Sequence, residues 1–248
     1  MEELTEIDRL DLAARAEATK SALSRARLPM TILSLFFVLL AVISGASFYE
    51  TVAVRVLAML AVVTTAMLWK GSRYAAYALA ILVFAVLIGA WLPFDDPDSH
   101  TMLGATANVV GYAILLFGGY RWWTNGLPFI TAQSAELEME RSQVREWVKV
   151  LNSSEGTDKV IEFSSKSFVR GYWTYRLLNT GFCWLIAKFK TGNMDRLRGC
   201  RVLGLDAVHV TNQPGGKLHI VMGERTIQGV EISAVMRDRL SHLVSVKS

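Results

Sequence analysis

Residues 28–49 read LPMTILSLFFVLLAVISGASFY, twenty-two consecutive positions without a charge. A helix rises about 1.5 Å per residue, so such a run is long enough to cross the roughly 30 Å hydrocarbon core of a bilayer. Three similar runs follow at 52–69, where Arg55 is the one charge, at 74–94 and at 99–120. Four transmembrane helices are therefore expected, at about 30–49, 52–69, 74–92 and 102–123.

Composition agrees with that expectation. The chain has 248 residues, of which 52% are hydrophobic and 19% charged, whereas ordinary soluble domains carry about 25% charge. That disfavours a wholly soluble enzyme; composition excludes a disordered chain, and two cysteines exclude a disulfide scaffold. Residues 1–29 carry five Lys/Arg and six Asp/Glu, residues 30–130 four and four, and residues 131–248 seventeen and twelve. A nearly uncharged block thus lies between two segments with the charge density of water-exposed protein.

The loop charges set an orientation, because cytoplasmic loops are enriched in Lys and Arg. Arg25, Arg27, Lys70, Arg73 and Arg121 flank the runs on one side. Glu50, Asp95, Asp96 and Asp98 flank them on the other, with Arg55. The expectation is a multi-pass protein of the inner (plasma) membrane with both termini cytoplasmic. No cleavable signal pattern precedes the first run. No Asp, Glu or Lys sits at mid-depth, which disfavours a proton or ion relay. Gly104, Gly111 and Gly118 recur every seven residues with Asn108 alongside. Such a face lets a second helix approach closely, either inside the bundle or between subunits of a homo-oligomer or larger membrane complex.

Outside the membrane block, residues 1–29 form a weakly amphipathic helix ending before Pro29. Asn125, Gly126 and Pro128 are expected to break the chain after the fourth run, and a connector helix occupies 131–152. In the following domain, 155–248, the apolar period changes from 3.6 to 2 from about Asp158. Strands are expected at 159–163, 168–176, 182–190, 200–211, 217–222 and 225–232, separated by turn sequences such as Asn179-Thr180-Gly181 and Gly223-Glu224. Short connections favour an antiparallel meander. Six strands and a closing helix from Ser233 to Ser245 make a small β-sandwich or barrel.

A helical membrane block, then a meander whose last strand (Arg225-Thr-Ile-Gln-Gly-Val-Glu-Ile232) runs into one C-terminal helix, resembles bacterial proteins with pleckstrin-homology-like domains. The resemblance covers about 155–246 and rests on element order. Such domains usually have seven strands, one more than the six expected here. The resemblance implies a module that binds a ligand, lipid or protein, and assigns no binding residue.

The residues show no catalytic constellation and no cofactor motif. His209 and His219 flank the Gln213–Gly216 turn, but a four-residue loop pairs His209 with Ile220 and His219 with Val210. That register puts the histidines on opposite faces, so no metal is expected. Cys183 and Cys200 lack a base, and Gln213-Pro-Gly-Gly-Lys217 lacks phosphate-loop spacing. The most pointed electrostatic feature is Lys188, Lys190, Arg196, Arg198 and Arg201, opposed only by Asp195. Beside an anionic membrane face, each basic group contributes about 1 kcal/mol of attraction. No nucleic-acid motif accompanies the charge. The expected function is non-enzymatic: a membrane protein whose β domain binds a lipid, ligand or partner. The alternatives are an effector gated by a phosphorylated small ligand and an accessory subunit of a larger membrane complex.

Overall fold

The computed structural model describes residues 4–43, 48–91, 102–153, 159–167, 171–191, 193–212, 218–230, 232 and 234–243. Six helices and seven strands follow in chain order: α1 (Glu6–Ile43), α2 (Phe48–Lys70), α3 (Ala75–Trp91), α4 (Met102–Ala132), α5 (Glu138–Ser153), β1 (Val160–Ser167), β2 (Gly171–Asn179), β3 (Cys183–Lys190), β4 (Asn193–Gly204), β5 (Val208–Asn212), β6 (Leu218–Met222), β7 (Arg225–Val230) and α6 (Ala234–Leu243). The chain divides into two compact units, a β unit of 1–21 with 131–248 and a helical unit of 22–130.

Four transmembrane helices are not what the structure holds. Among the described residues one helix, α1, is long and apolar enough to cross a membrane, by length and composition. The reason lies in where the helices begin and end. Helix α3 has 17 residues, about 26 Å at the helical rise and short of the hydrocarbon core. Helix α2 includes Glu50, Arg55 and Lys70 within its own length. Helix α4 does not stop at the fourth apolar run but continues through Arg121–Asn125 and Pro128 to Ala132. An uncharged run in the sequence is therefore not the same object as a helix.

Helix α1 also differs from expectation, because it does not end before Pro29 but includes it. Thr31 Oγ1 donates to the Arg27 carbonyl at 2.8 Å across that point. Further along the helical unit, α2 and α3 meet through small residues. Ala58, Ala61 and Thr64 are buried on α2, and Ala75, Ala76, Leu79 and Ala80 on α3. Small side chains let helix backbones approach closely. Thr65 Oγ1 donates to the Met30 carbonyl and Trp69 Nε1 to Thr31 Oγ1, tying α2 to α1.

Of the heptad glycines only Gly118 has described surroundings, and among the described residues the glycines packed against a neighbour lie at other positions of α4. Gly118 faces open space, whereas a Cβ at Gly119 would stand 3.2 Å from Val83 and Phe84. A Cβ at Gly126 would stand 2.9 Å from the Ala76 side chain. The close-packed glycines are thus 119 and 126, also seven apart, and they face α3. The surroundings of Gly104, Asn108 and Gly111 lie outside the described side chains.

In the β unit, β1–β4 form a four-stranded antiparallel sheet in sequential order, and β5–β7 form a three-stranded one. The single strand expected over 200–211 is two strands, β4 and β5, separated by a 3-10 turn at Leu205–Ala207. That corner turns the chain from one sheet to the other and accounts for the seventh strand. Gly223, at φ 59°, makes the β6–β7 turn, a left-handed conformation that glycine adopts without steric cost.

The four-stranded sheet is covered on both faces. One core joins Leu10, Ala13 and Ala14 of α1 and Val144 and Leu151 of α5 to Leu185, Phe189 and Val202. The other joins Phe163, Trp184 and Ile186 to Val210 and Ile220 of the second sheet and Leu240 of α6. Strand β3 was expected to have one wet face. Instead Trp184 and Ile186 fill the second core, and the wet face begins only at Lys188. Arg176 closes the C-terminal end of α5, donating from Nη1 to the Leu151 carbonyl at 2.6 Å and from Nε to Glu162 at 2.7 Å.

Candidate functional site

The second core gives way to an aromatic and basic cluster at the Gly171 end of β2. Cross-strand pairing sets Tyr175 opposite Phe163 and Lys188, and Trp173 opposite Ser165 and Lys190. Side chains alternate along each strand, so directly paired residues share a face. Phe163 stacks on Tyr175 with ring centroids 5.3 Å apart. Lys188 Nζ stands 4.2 Å from the Trp173 ring centroid and 5.7 Å from that of Tyr175, a cation held by two ring faces.

Trp173 carries an unusual feature. Its indole Nε1 is buried and has no hydrogen-bond partner among the described residues. A buried donor without an acceptor costs about 1–3 kcal/mol. An orphan N–H beside a lysine ammonium suits one kind of group, an anionic oxygen that accepts from both.

The β3–β4 pairing loosens at the same end. Lys188 pairs with Gly199, Phe189 with Leu197 and Lys190 with Asn193, with register shifts on both sides of Phe189. Arg198 is the extra residue of the first irregularity, and bulges re-aim side chains near the ends of sheets. Lys190 and Arg198 are exposed. Arg196 also falls between paired positions, and its side chain lies outside the described residues.

Arg201 does not join this group. Its Nε donates to both Asp11 carboxylate oxygens, at 2.8 and 3.1 Å, and Asp11 also accepts from the Val202 backbone N–H at 2.9 Å. Ser21 Oγ donates to the Leu197 carbonyl at 3.1 Å. Helix α1 thereby covers the free edge of β4, an exposed template for pairing in many sheets. Asp11 was visible in the sequence only as a charge on a weakly apolar helical face.

The histidine register differs from the four-residue loop. Asn212 pairs with Leu218, so His209 pairs with Val221 and His219 with Thr211. One more loop residue puts the two histidines on the same face. Among the described residues, however, no three His, Cys, Asp or Glu side chains come together to hold a metal ion. Both cysteines are buried and free. Burial pushes the Cys200 thiol well above its ordinary range, and the Asp11 and Glu17 carboxylates add to the shift. Burial also raises Cys183, partly offset by the hydrogen bond with Thr180. Both shifts disfavour the thiolate, the nucleophilic form, at neutral pH.

No protein family and no curated protein matches this chain. The functional reading therefore rests on the geometry.

Proposed function

We propose that this protein is a non-catalytic, membrane-attached binding protein whose β unit takes an anionic, phosphate-bearing ligand at the Trp173–Lys188 cluster. The observation that carries this reading is the buried Trp173 indole N–H, without a partner among the described residues, beside a lysine held over the same ring, with exposed Lys190 and Arg198 nearby. Attachment is assigned to the apolar half of α1, where Ile32, Leu35, Phe36, Leu39 and Val42 are all exposed. Soluble surfaces rarely show so continuous an apolar stripe. The four-plus-three strand order closed by α6 supports the resemblance to pleckstrin-homology-like domains.

A ligand-gated effector is the second reading, favoured by one fact. Helix α1 is continuous from its β4-edge contact at Asp11 to its apolar half.

The test uses the full chain in a neutral detergent and tripolyphosphate as a soluble probe. Tryptophan fluorescence should report binding that fades with salt, because exposed charges are screened over about 8 Å at physiological ionic strength. Lys188→Gln with Lys190→Gln should abolish it. If the wild-type chain ignores the probe at low salt, the proposal fails.

A further inference from the structure

Lys70 and a groove on α2 form a second site in the helical unit, with Arg73 three residues further along the chain. Val63, Ala66, Met67 and Lys70 are spaced i, i+3, i+4 and i+7, one face of a helix over about 10 Å. With Ser72 they line a groove of about 450 Å³. Its floor is apolar and its mouth polar.

The mouth has a defined backbone. Gly71, at φ 70°, ends α2. Its N–H donates to the Leu68 carbonyl and the Ser72 N–H to Met67, so two of the four carbonyls of the last turn are occupied. Arg27 Nε also donates to Leu68 at 3.0 Å.

Charge and aromatic placement select the occupant. Between Ala22 and Ile130 the acidic residues are Glu50, Asp95, Asp96 and Asp98 alone, and none of their side chains falls among those described. At the α2–α3 turn, Lys70 and Trp69 are exposed. The Arg73 guanidinium lies 4.9 Å from the Tyr74 ring and that of Arg27 lies 5.6 Å from Trp69. Indoles and phenols beside Lys and Arg are the composition of a membrane–water interface. A soluble anion alone leaves the apolar floor uncovered, and an apolar chain alone leaves the cations unmatched.

We infer that the α2 groove binds a single anionic phospholipid, with an acyl chain along Val63, Ala66 and Met67 and its phosphate between Lys70 and Arg73. This site is independent of the β-unit cluster.

The full chain in neutral detergent is titrated with dioctanoyl phosphatidylglycerol, and thermal stabilisation reports binding. Each basic group near an anionic lipid contributes a factor of about five, so Lys70→Gln with Arg73→Gln should weaken binding about twenty-five-fold. Ala66→Trp fills the groove from an exposed position without touching a charge, and should weaken it comparably. Lys188→Gln with Lys190→Gln should leave it unchanged, which separates this site from the β-unit reading. An unaffected Ala66→Trp variant would mean diffuse surface attraction and overturns the site. Equal stabilisation by glycerol 3-phosphate would make the ligand a free phosphate, and equal stabilisation by dioctanoyl phosphatidylcholine would make it any lipid. Either result overturns the proposal.

Discussion

At the residue scale, Asp11 joins the helix and the sheet through three partners: Arg15, Arg201 and the Val202 N–H. Asp11→Ala leaves the buried Val202 donor without its acceptor, which should cost about 2 kcal/mol or more. Asp11→Asn keeps an oxygen for that N–H and should cost less. The Arg201 side chain is 41% exposed, so Arg201→Gln should cost under about 1 kcal/mol. Thermal unfolding of the three variants in detergent gives the order, and a larger loss for Arg201→Gln than for Asp11→Ala would contradict it. Arg201→Gln should also leave tripolyphosphate binding intact, because its guanidinium is committed to Asp11. The thiols make a second prediction. A thiol whose value is raised by folding stabilises the native state fully below the unfolded value, near 9, and loses that contribution as pH climbs above it. Stability should therefore decline above about pH 9, less so in Cys200→Ala. Neither cysteine should react with maleimide at pH 7 until the protein unfolds.

At the scale of the element, helix α4 shows how one residue of phase changes the meaning of a pattern. Gly118 and Gly119 are neighbours in sequence, yet one faces open space and the other faces Phe84. Gly118→Ala should stabilise the helix by about 0.5–1 kcal/mol, the ordinary gain of alanine over glycine in a helix interior. Gly126→Ala should destabilise it, because the new Cβ would fall 2.9 Å from Ala76 and one helix must shift. Circular dichroism melts of the two variants should move in opposite directions. Melts that move the same way would mean that α3 yields at Ala76 without cost.

The whole molecule is divided so that the β unit draws on both ends of the sequence. Residues 155–248 alone lack Leu10, Ala13, Ala14, Val144 and Leu151, which cover one face of the four-stranded sheet. That fragment should expose the face, bind hydrophobic dyes and unfold without a sharp transition. A well-folded, soluble 155–248 fragment would show that α1 and α5 are accessory. For membrane attachment, Ile32→Gln with Phe36→Gln and Leu39→Gln removes three exposed apolar side chains from α1. The triple variant should become extractable by alkaline carbonate while the wild-type chain stays with the membrane pellet.

Local chemistry determined the parts of this protein that depend on neighbours in sequence. The Gly223-Glu224 turn and the closing helix were legible because turn residues and side-chain period act over a few positions. The charge partition also marked the apolar character of 28–49, the stretch that lies largely in the helix that, among the described residues, is long and apolar enough to span. Tertiary structure decided the rest. Pro29 and Pro128 signal helix ends in isolation, yet both lie inside helices here, where hydrogen bonds and packing from other elements stabilise the continuous form. The seventh strand arises from a corner at Leu205–Ala207, invisible in an apolar run that reads as one strand. The five basic residues 188–201 look equivalent along the chain, but pairing sends Lys188 over two aromatic rings and Arg201 to an aspartate 190 residues away. Sequence spacing reports which side chains share a local face; only the fold decides which distant group meets them there.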